Sequence, residues 1–292
     1  METAIHIDGK TRLCGLIGNP VEHTMSPDIH HALAKGCGIN IAYVPFLVEK
    51  IRLGEAVAGA YALNALGVNV TVPFKKDVIP FLKDVEPMAA AMESVNTLVR
   101  TTGGFKGYNT DMSGLYRAMQ EDGVSLQGEE VAVLGAGGVG RAVAYLCALK
   151  GARSIMILNR SQDRAAQVAE EVRAKTGHRH VQAFALEAAG KLPCESCLAI
   201  QATSVGLYPD CETAAVEEPD FYRRVHTGYD LIYRPAETKF MKLVREAGGK
   251  SYNGLKMLVY QAVEAFELWN ATAVPEELVH QIYQMLSRKT GQ

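Results

Sequence analysis

The sequence predicts an α/β protein of two domains closed by a helical tail, on three observations. Residues 1–110 alternate short apolar runs with amphipathic stretches, a βαβα pattern that implies a mainly parallel sheet. Residues 131–141, VAVLGAGGVGR, place glycines at 135, 137 and 140 between an apolar run and an amphipathic stretch, and they lie mid-chain. From Leu255 onward the pattern is wholly helical, with Met257, Leu258, Val259, Val263, Phe266 and Trp269 in one apolar stripe. At 292 residues the chain has room for two domains. They are expected over 1–110, completed by 254–292, and over 111–253.

The elements follow in order. The apolar run 13–18 reads as a strand, and a helix over 27–37 follows it, with Ser26 as cap and Pro27 at its first position. Strand 41–46, helix 48–63 and strand 68–72, which stops at Pro73, continue the alternation. Residues 96–100 and 105–108 flank a Thr-Thr-Gly-Gly turn and predict a hairpin. Thr110 or Asp111 can cap a helix over 112–122 that leads into the second domain. Strands near 154–158, 198–202 and 229–232 continue that domain, which ends near 252–254. The helical tail must bury its stripe, and the first domain is the surface it is expected to pack back on.

Strand, glycine turn and helix in that order form the pyrophosphate cradle of a Rossmann-type dinucleotide-binding domain. Gly135 permits the tight turn, Gly137 lets the backbone approach the phosphates, and Gly140 allows close packing of helix on strand. Ala136, Gly138 and Val139 complete the loop, whose amides face the anion. A domain that selects NAD usually places Asp or Glu at the end of its second strand, about 20 residues further on. Here that position reads Asn159, Arg160, Ser161, with no carboxylate, and Arg164 follows one helical turn later. Arg160 and Arg164, with Ser161 as helix cap, make a cationic pocket for a 2′-phosphate, so NADP is favoured over NAD. The competing reading leaves both arginines as solvated surface charges.

Composition narrows the function. A hydrophobic fraction of 48%, a charged fraction of 21% and a net charge of −2 describe a soluble globular protein with no basic excess for nucleic acid. No run is long enough to cross a membrane and the N-terminal residues do not read as a signal peptide, so a cytoplasmic address is expected. The six cysteines are scattered and expected to be reduced; Cys194 and Cys197 form a C-x-x-C pair, for which a zinc or redox role is the alternative to core thiols. Adjacent His30 and His31 point apart on a helix and argue against joint metal ligation, and no metal site is expected.

Polar groups concentrate elsewhere. Thr24 and Ser26, in GNPVEHTMSP, are two residues apart in a loop after a strand. NVTVPFKK sets Asn69, Thr71 and Lys75 at the carboxyl end of another strand, where open α/β sheets collect ligands. SVNTLV adds Asn96, and GYNTDMSG adds Asp111 at a helix start. Singly, Asn96 is equally a turn residue, Asp111 a cap and Lys75 a surface charge.

Together with NRSQDRA, ATSVGLYP, YDLIYRPAETKF and NGLKMLVYQAVEAFELW, these strings make the chain resemble the shikimate dehydrogenase family, including the quinate/shikimate dehydrogenases, over nearly its whole length. The resemblance implies a substrate domain, an NADP-binding Rossmann domain and C-terminal helices on the first. It implies reversible reduction of 3-dehydroshikimate to shikimate with NADPH, a step of aromatic amino-acid (chorismate) biosynthesis, with Lys75 and Asp111 as the catalytic pair. Thr24 and Ser26 are then expected on the substrate carboxylate, and Asn69, Thr71, Asn96 and Gln261 on ring hydroxyls. Tyr233 is expected near that carboxylate, Gly254 at the nicotinamide amide and Thr203 beside the cofactor. Three positions depart from the family's habit: Thr24 where serine is usual, Gln201 where asparagine is common, and Lys256 where a small residue is frequent. The last two are expected to modify cofactor contacts. The alternatives are a quinate/shikimate dehydrogenase that uses NAD and a non-catalytic relative that binds the metabolite. The small-molecule substrate is the expected partner, for a monomer or a homodimer.

Overall fold

The computed structural model describes residues 7–291 and divides into two compact units. The first runs to Gly114 and includes Leu258–Met285; the second holds Leu115–Met257 and the residues from Leu286. The division falls inside helices, beyond the 110/111 and 253/254 boundaries expected from the sequence. Residues from 286 belong with the second unit, whereas the sequence reading assigned all of 254–292 to the first.

The first unit contains β1 (Arg12–Gly18), α1 (Ser26–Cys37), β2 (Ile41–Leu47), α2 (Leu53–Ala62), β3 (Gly67–Val70), β4 (Asp84–Val85), α3 (Pro87–Met92), β5 (Thr97–Thr101), β6 (Gly104–Tyr108) and the start of α4 (Thr110–Glu121). Its sheet has the order β2-β1-β3-β5-β6-β4. β1 pairs in parallel with β2 and β3, but β5 runs antiparallel to β3 and to β6, so the sheet is mixed. The hairpin forms as expected. β4 and α3 were not legible, being too short to show a period. The helix expected over 48–63 is a 3₁₀ turn at Lys50–Arg52 followed by α2, which starts at Leu53.

Two caps differ from expectation. α1 begins after Met25 with no side-chain cap, and Ser26 lies inside its first turn. In α4 the capping bond comes from Asn109, whose Oδ1 accepts from the Met112 N–H at 3.2 Å, and not from Thr110 or Asp111. Both corrections release hydroxyl or carboxylate oxygens for other partners.

The second unit runs β7 (Glu130–Leu134), α5 (Gly138–Leu149), β8 (Ser154–Asn159), α6 (Gln162–Thr176), β9 (Val181–Ala185), β10 (Cys197–Gln201), α7 (Pro219–Tyr222), β11 (Val225–Asp230), α8 (Lys239–Glu246), β12 (Lys250–Tyr252) and the start of α9 (Leu255–Asn270); α10 (Glu276–Thr290) closes the chain. All its ladders are parallel in the order β12-β11-β10-β7-β8-β9. This is the doubly wound dinucleotide-binding order, whose switch point lies between β7 and β10. β11 starts and ends earlier than the predicted 229–232, because the chain turns after buried Asp230.

Each unit has its own core. Val131–Leu134, Ile155–Leu158 and Leu198–Ile200 are fully buried, which is why these strands read as continuous apolar runs. In the first unit, Trp269 of α9 carries the helical tail onto the sheet: its indole N–H donates to the Leu98 carbonyl at 2.9 Å, and its ring lies where any side chain at Gly67 would stand. Of the stripe read from the sequence, Val259, Val263, Phe266 and Trp269 are buried, whereas Met257 and Leu258 are half-buried. Trp269→Ala is expected to lower unfolding stability by about 3–5 kcal/mol. Urea unfolding followed by circular dichroism measures it, and a loss below about 1 kcal/mol contradicts the anchoring role.

Candidate active site

Lys75 stands in the turn after β3, and Asp111 is the second residue of α4. The Lys75 Nζ to Asp111 Oδ2 distance is 2.7 Å, with side chains 28% and 17% exposed. Two local features set this pair. The Lys75 carbonyl accepts from the Val95 N–H at 2.8 Å, which ties the turn to the segment before β5. Asn109 takes over the capping of α4, so the Asp111 carboxylate is free to meet the ammonium.

Thr24, Ser26, Asn69, Thr71, Asn96 and Gln261 all lie in the first unit, in separate groups. The Thr24 and Ser26 hydroxyls are 3.1 Å apart, and the Ser26 N–H donates to Thr24 Oγ1, so both oxygens are held in one short turn. Asn69 is buried and committed to the protein: Nδ2 donates to the Asn96 carbonyl and to Thr97 Oγ1, while Oδ1 accepts from the Tyr43 hydroxyl at 2.8 Å. Asn96 presents Oδ1 to the Thr110 N–H at 2.7 Å and to the Thr97 and Thr110 hydroxyls, which fixes its amide with Nδ2 at the opposite end. Thr71 has its backbone held by Ile17 and Phe74, and its hydroxyl finds no partner among the described residues. Gln261 sits on α9, where a Cβ at Gly114 would come within 2.5 Å of the Gln261 nitrogen. Gly114 therefore brings α9 against α4 one turn from Asp111.

Sequence reasoning missed the layer beneath these groups. Tyr43 stacks on His30 with ring centroids 4.3 Å apart, and His30 also meets Trp269 at 5.0 Å. His30 is wholly buried, neither ring nitrogen has a partner at hydrogen-bond geometry among the described residues, and burial, opposed by nearby Asn69, pushes its pKa down to about 3. Tyr43 was detectable from alternation in β2, which turns it inward; its pairing with Asn69, 26 residues away, was not.

In the second unit the glycine loop follows β7. A Cβ at Gly140 would strike the Gly135 carbonyl, which makes glycine necessary there, while Gly137 and Gly138 face open space. Ala136 is held by its N–H to Asn159 Oδ1 at 3.2 Å, and Asn159 Nδ2 donates to the Ser161 carbonyl. Val139 is exposed at the start of α5. Ser161 caps α6 through the Arg164 N–H as expected. Arg160 and Arg164 are exposed, and no carboxylate pairs with either among the described residues. An open cradle at a helix N-terminus beside two unpaired guanidiniums fits a phosphorylated dinucleotide.

The remaining predicted residues also lie in this unit. Tyr233 is half-buried in the loop after β11. Gly254 is buried just before α9, and its N–H donates to the Ile232 carbonyl at 3.0 Å. Thr203 is folded over by Gln201, whose Oε1 accepts from both the Thr203 N–H and its hydroxyl at 2.6 Å. Lys256 pairs with Asp122 and with Glu121 at the end of α4. Its ammonium is therefore already partnered within the protein. Cys194 and Cys197 are both buried free thiols.

Comparison with known proteins places this arrangement. Three family models match in chain order: the shikimate dehydrogenase substrate binding domain over residues 16–98, shikimate/quinate 5-dehydrogenase over 117–204, and the shikimate 5'-dehydrogenase C-terminal domain over 254–282. A shikimate dehydrogenase (NADP+) from Desulforamulus reducens is 40% identical, with the match covering 94% of this chain and 96% of that one. The chain belongs to the shikimate dehydrogenase family. Among solved members of the family, a shikimate dehydrogenase in complex with NADP+ is 32% identical at a TM-score of 0.87, covering 96% of this chain and 97% of its own. The Listeria monocytogenes shikimate 5-dehydrogenase in complex with shikimate and NAD is 32% identical at a TM-score of 0.88, covering 96% and 98%.

Asp230, at the end of β11, is fully buried, and burial raises its carboxyl to about 6 despite bonds from Thr238, Ile232 and Gln201. A pKa above the unfolded value favours the protonated form in the fold. The associated stability is present below about pH 4 and is lost as pH rises through about 6. Asp230→Asn removes the titration, and Asn can give its amide to Thr238 while accepting from Ile232. The stability of wild type relative to this variant is expected to fall by up to about 2 kcal/mol between pH 4.5 and 7.5. Chemical unfolding at both pH values measures it, and a flat difference contradicts the assignment.

Proposed function

We propose that this chain is an NADP-dependent shikimate dehydrogenase that interconverts 3-dehydroshikimate and shikimate. The observation that carries the reading is the Lys75–Asp111 pair, 2.7 Å apart and open to solvent on one side, within a unit rich in fixed hydroxyl and amide groups. The nicotinamide cofactor supplies or takes the hydride. Negative charge developing on the substrate's carbonyl oxygen is met by the Lys75 ammonium, which stabilises it and delivers a proton from Nζ. Asp111 orients that ammonium and accepts from a neighbouring substrate hydroxyl. In the oxidative direction the proton returns to the same hydrogen-bonded pair.

The binding groups divide the work. Thr24 and Ser26 hold the carboxylate, and Thr71, Asn96 and Gln261 bond ring hydroxyls. Buried Asn69 orients Tyr43 and Thr97. A site of fixed donors and acceptors rejects analogues that leave those groups unpaired. Gly135, Ala136, Gly137, Gly138, Val139 and Gly140 cradle the pyrophosphate, and Arg160 and Arg164 take the 2′-phosphate. With Thr24 on the carboxylate, its methyl alters the room around the carboxylate-bearing carbon, which carries a hydroxyl in quinate.

The test is an initial-rate matrix of shikimate and quinate against NADP+ and NAD+. Shikimate with NADP+ is expected to be the fastest combination, and no turnover of it ends the reading. Lys75→Met is expected to lower kcat by about a hundred- to ten-thousandfold, with shikimate KM changed less than about tenfold. Replacing Arg160 and Arg164 together by alanine is expected to raise NADP+ KM by about tenfold or more while leaving NAD+ KM nearly unchanged. Equal effects on the two cofactors contradict the 2′-phosphate assignment.

A further inference from the structure

Gln201 closes β10 opposite Leu134, the last residue of β7, at the switch point of the second sheet. Its amide does the work of several backbone ladder bonds. Oε1 takes the Thr203 N–H and hydroxyl, and Nε2 donates to the carbonyls of Thr203 at 3.3 Å and Val205 at 3.1 Å. The same Nε2 reaches Asp230 Oδ1 at 3.4 Å, and Asp230 is braced by the Ile232 N–H at 2.9 Å and the Thr238 hydroxyl at 2.6 Å. Gln201 and Asp230 are both 0% exposed. Thr203 Oγ1, having given its proton to Gln201, accepts from the Val205 N–H at 3.1 Å.

This knot has an outward face. A Cβ built on Gly135 would stand 2.8 Å from Thr203 Cγ2 and 3.2 Å from the Ala202 carbonyl. The segment that Gln201 folds is therefore packed directly on the first glycine of the cradle, and its hydroxyl is already used within the protein. Thr203 thus meets a ligand with its methyl and backbone, in a position that it does not set for itself.

We infer that Gln201, braced by Asp230, is a positioning residue for the dinucleotide: it fixes residues 203–205 as the wall facing the glycine loop and sets cofactor affinity separately from recognition of the polyol substrate. The inference rests on the cofactor part of the function proposed above. One Gln201 amide thereby spans Thr203, Val205 and Asp230.

The test is direct titration of NADP+ by protein fluorescence, with steady-state kinetics beside it. Gln201→Glu keeps the acceptor for Thr203, loses the donors to Thr203 and Val205, and sets a second carboxylate against Asp230. The NADP+ Kd is expected to rise about tenfold, with shikimate KM at saturating cofactor within about twofold of wild type. Adding Asp230→Asn returns a side-chain donor to the pair and is expected to bring Kd back to within about threefold of wild type. If Gln201→Glu does not fold, Gln201→Met, which keeps length and drops the amide without a charge, is expected to show the same Kd rise. A folded Gln201 variant with unchanged Kd overturns the inference, and so does an equal rise in cofactor Kd and shikimate KM. Wild-type protein that binds neither NADP+ nor NAD+ overturns the proposed function itself, a result distinct from wild-type binding with an unaffected variant.

Discussion

An ammonium and a carboxylate held 2.7 Å apart and partly withdrawn from water lose hydration on both sides, and the loss is made good only where their geometry is fixed by the surrounding chain. The first unit supplies that fixation from several directions. The turn after β3 is tied to the segment before β5, α4 is capped by a neighbouring asparagine, and α9 lies close enough to α4 that only glycine fits between them. Each constraint is small. Together they leave Lys75 and Asp111 facing one another, with polar groups around them that already have their orientation.

The second unit applies the same principle to an anion. A parallel sheet with buried strands places two loop ends side by side at the switch point, and the glycine turn on one is packed against Thr203 on the other. Charge discrimination is left to the edge, where Arg160 and Arg164 stand exposed. The two features rest on different residues: the cradle needs small ones, whereas the positive charge beside it comes from long cationic ones.

Much of this was legible in the sequence for a physical reason. Buried parallel strands produce continuous apolar runs, and the glycine turn leaves a fixed spacing, so β7, β8, β10 and the cradle could be placed from local pattern alone. Lys75, Asp111, Thr24 and Ser26 were visible because polar residues at strand ends lack a packing explanation. What was hidden depends on partners far apart in the chain. Thr110 and Asp111 each had a sound local case as caps, but Asn96 and Lys75 claim their oxygens in space. Asn69 looked like a ligand group until Tyr43, Asn96 and Thr97 were seen to use its amide. Lys256 looked available until the end of α4 came beside it.

The stacked His30 has a quieter consequence. A histidine with both nitrogens sealed away and a pKa near 3 carries no proton that ordinary solutions can add or remove. Below the hydroxyls and amides that meet solvent, the aromatic floor stays electrically silent when acidity drifts by a whole unit around neutrality. Any response of this unit to such a drift must therefore originate above that floor, in groups that water can reach.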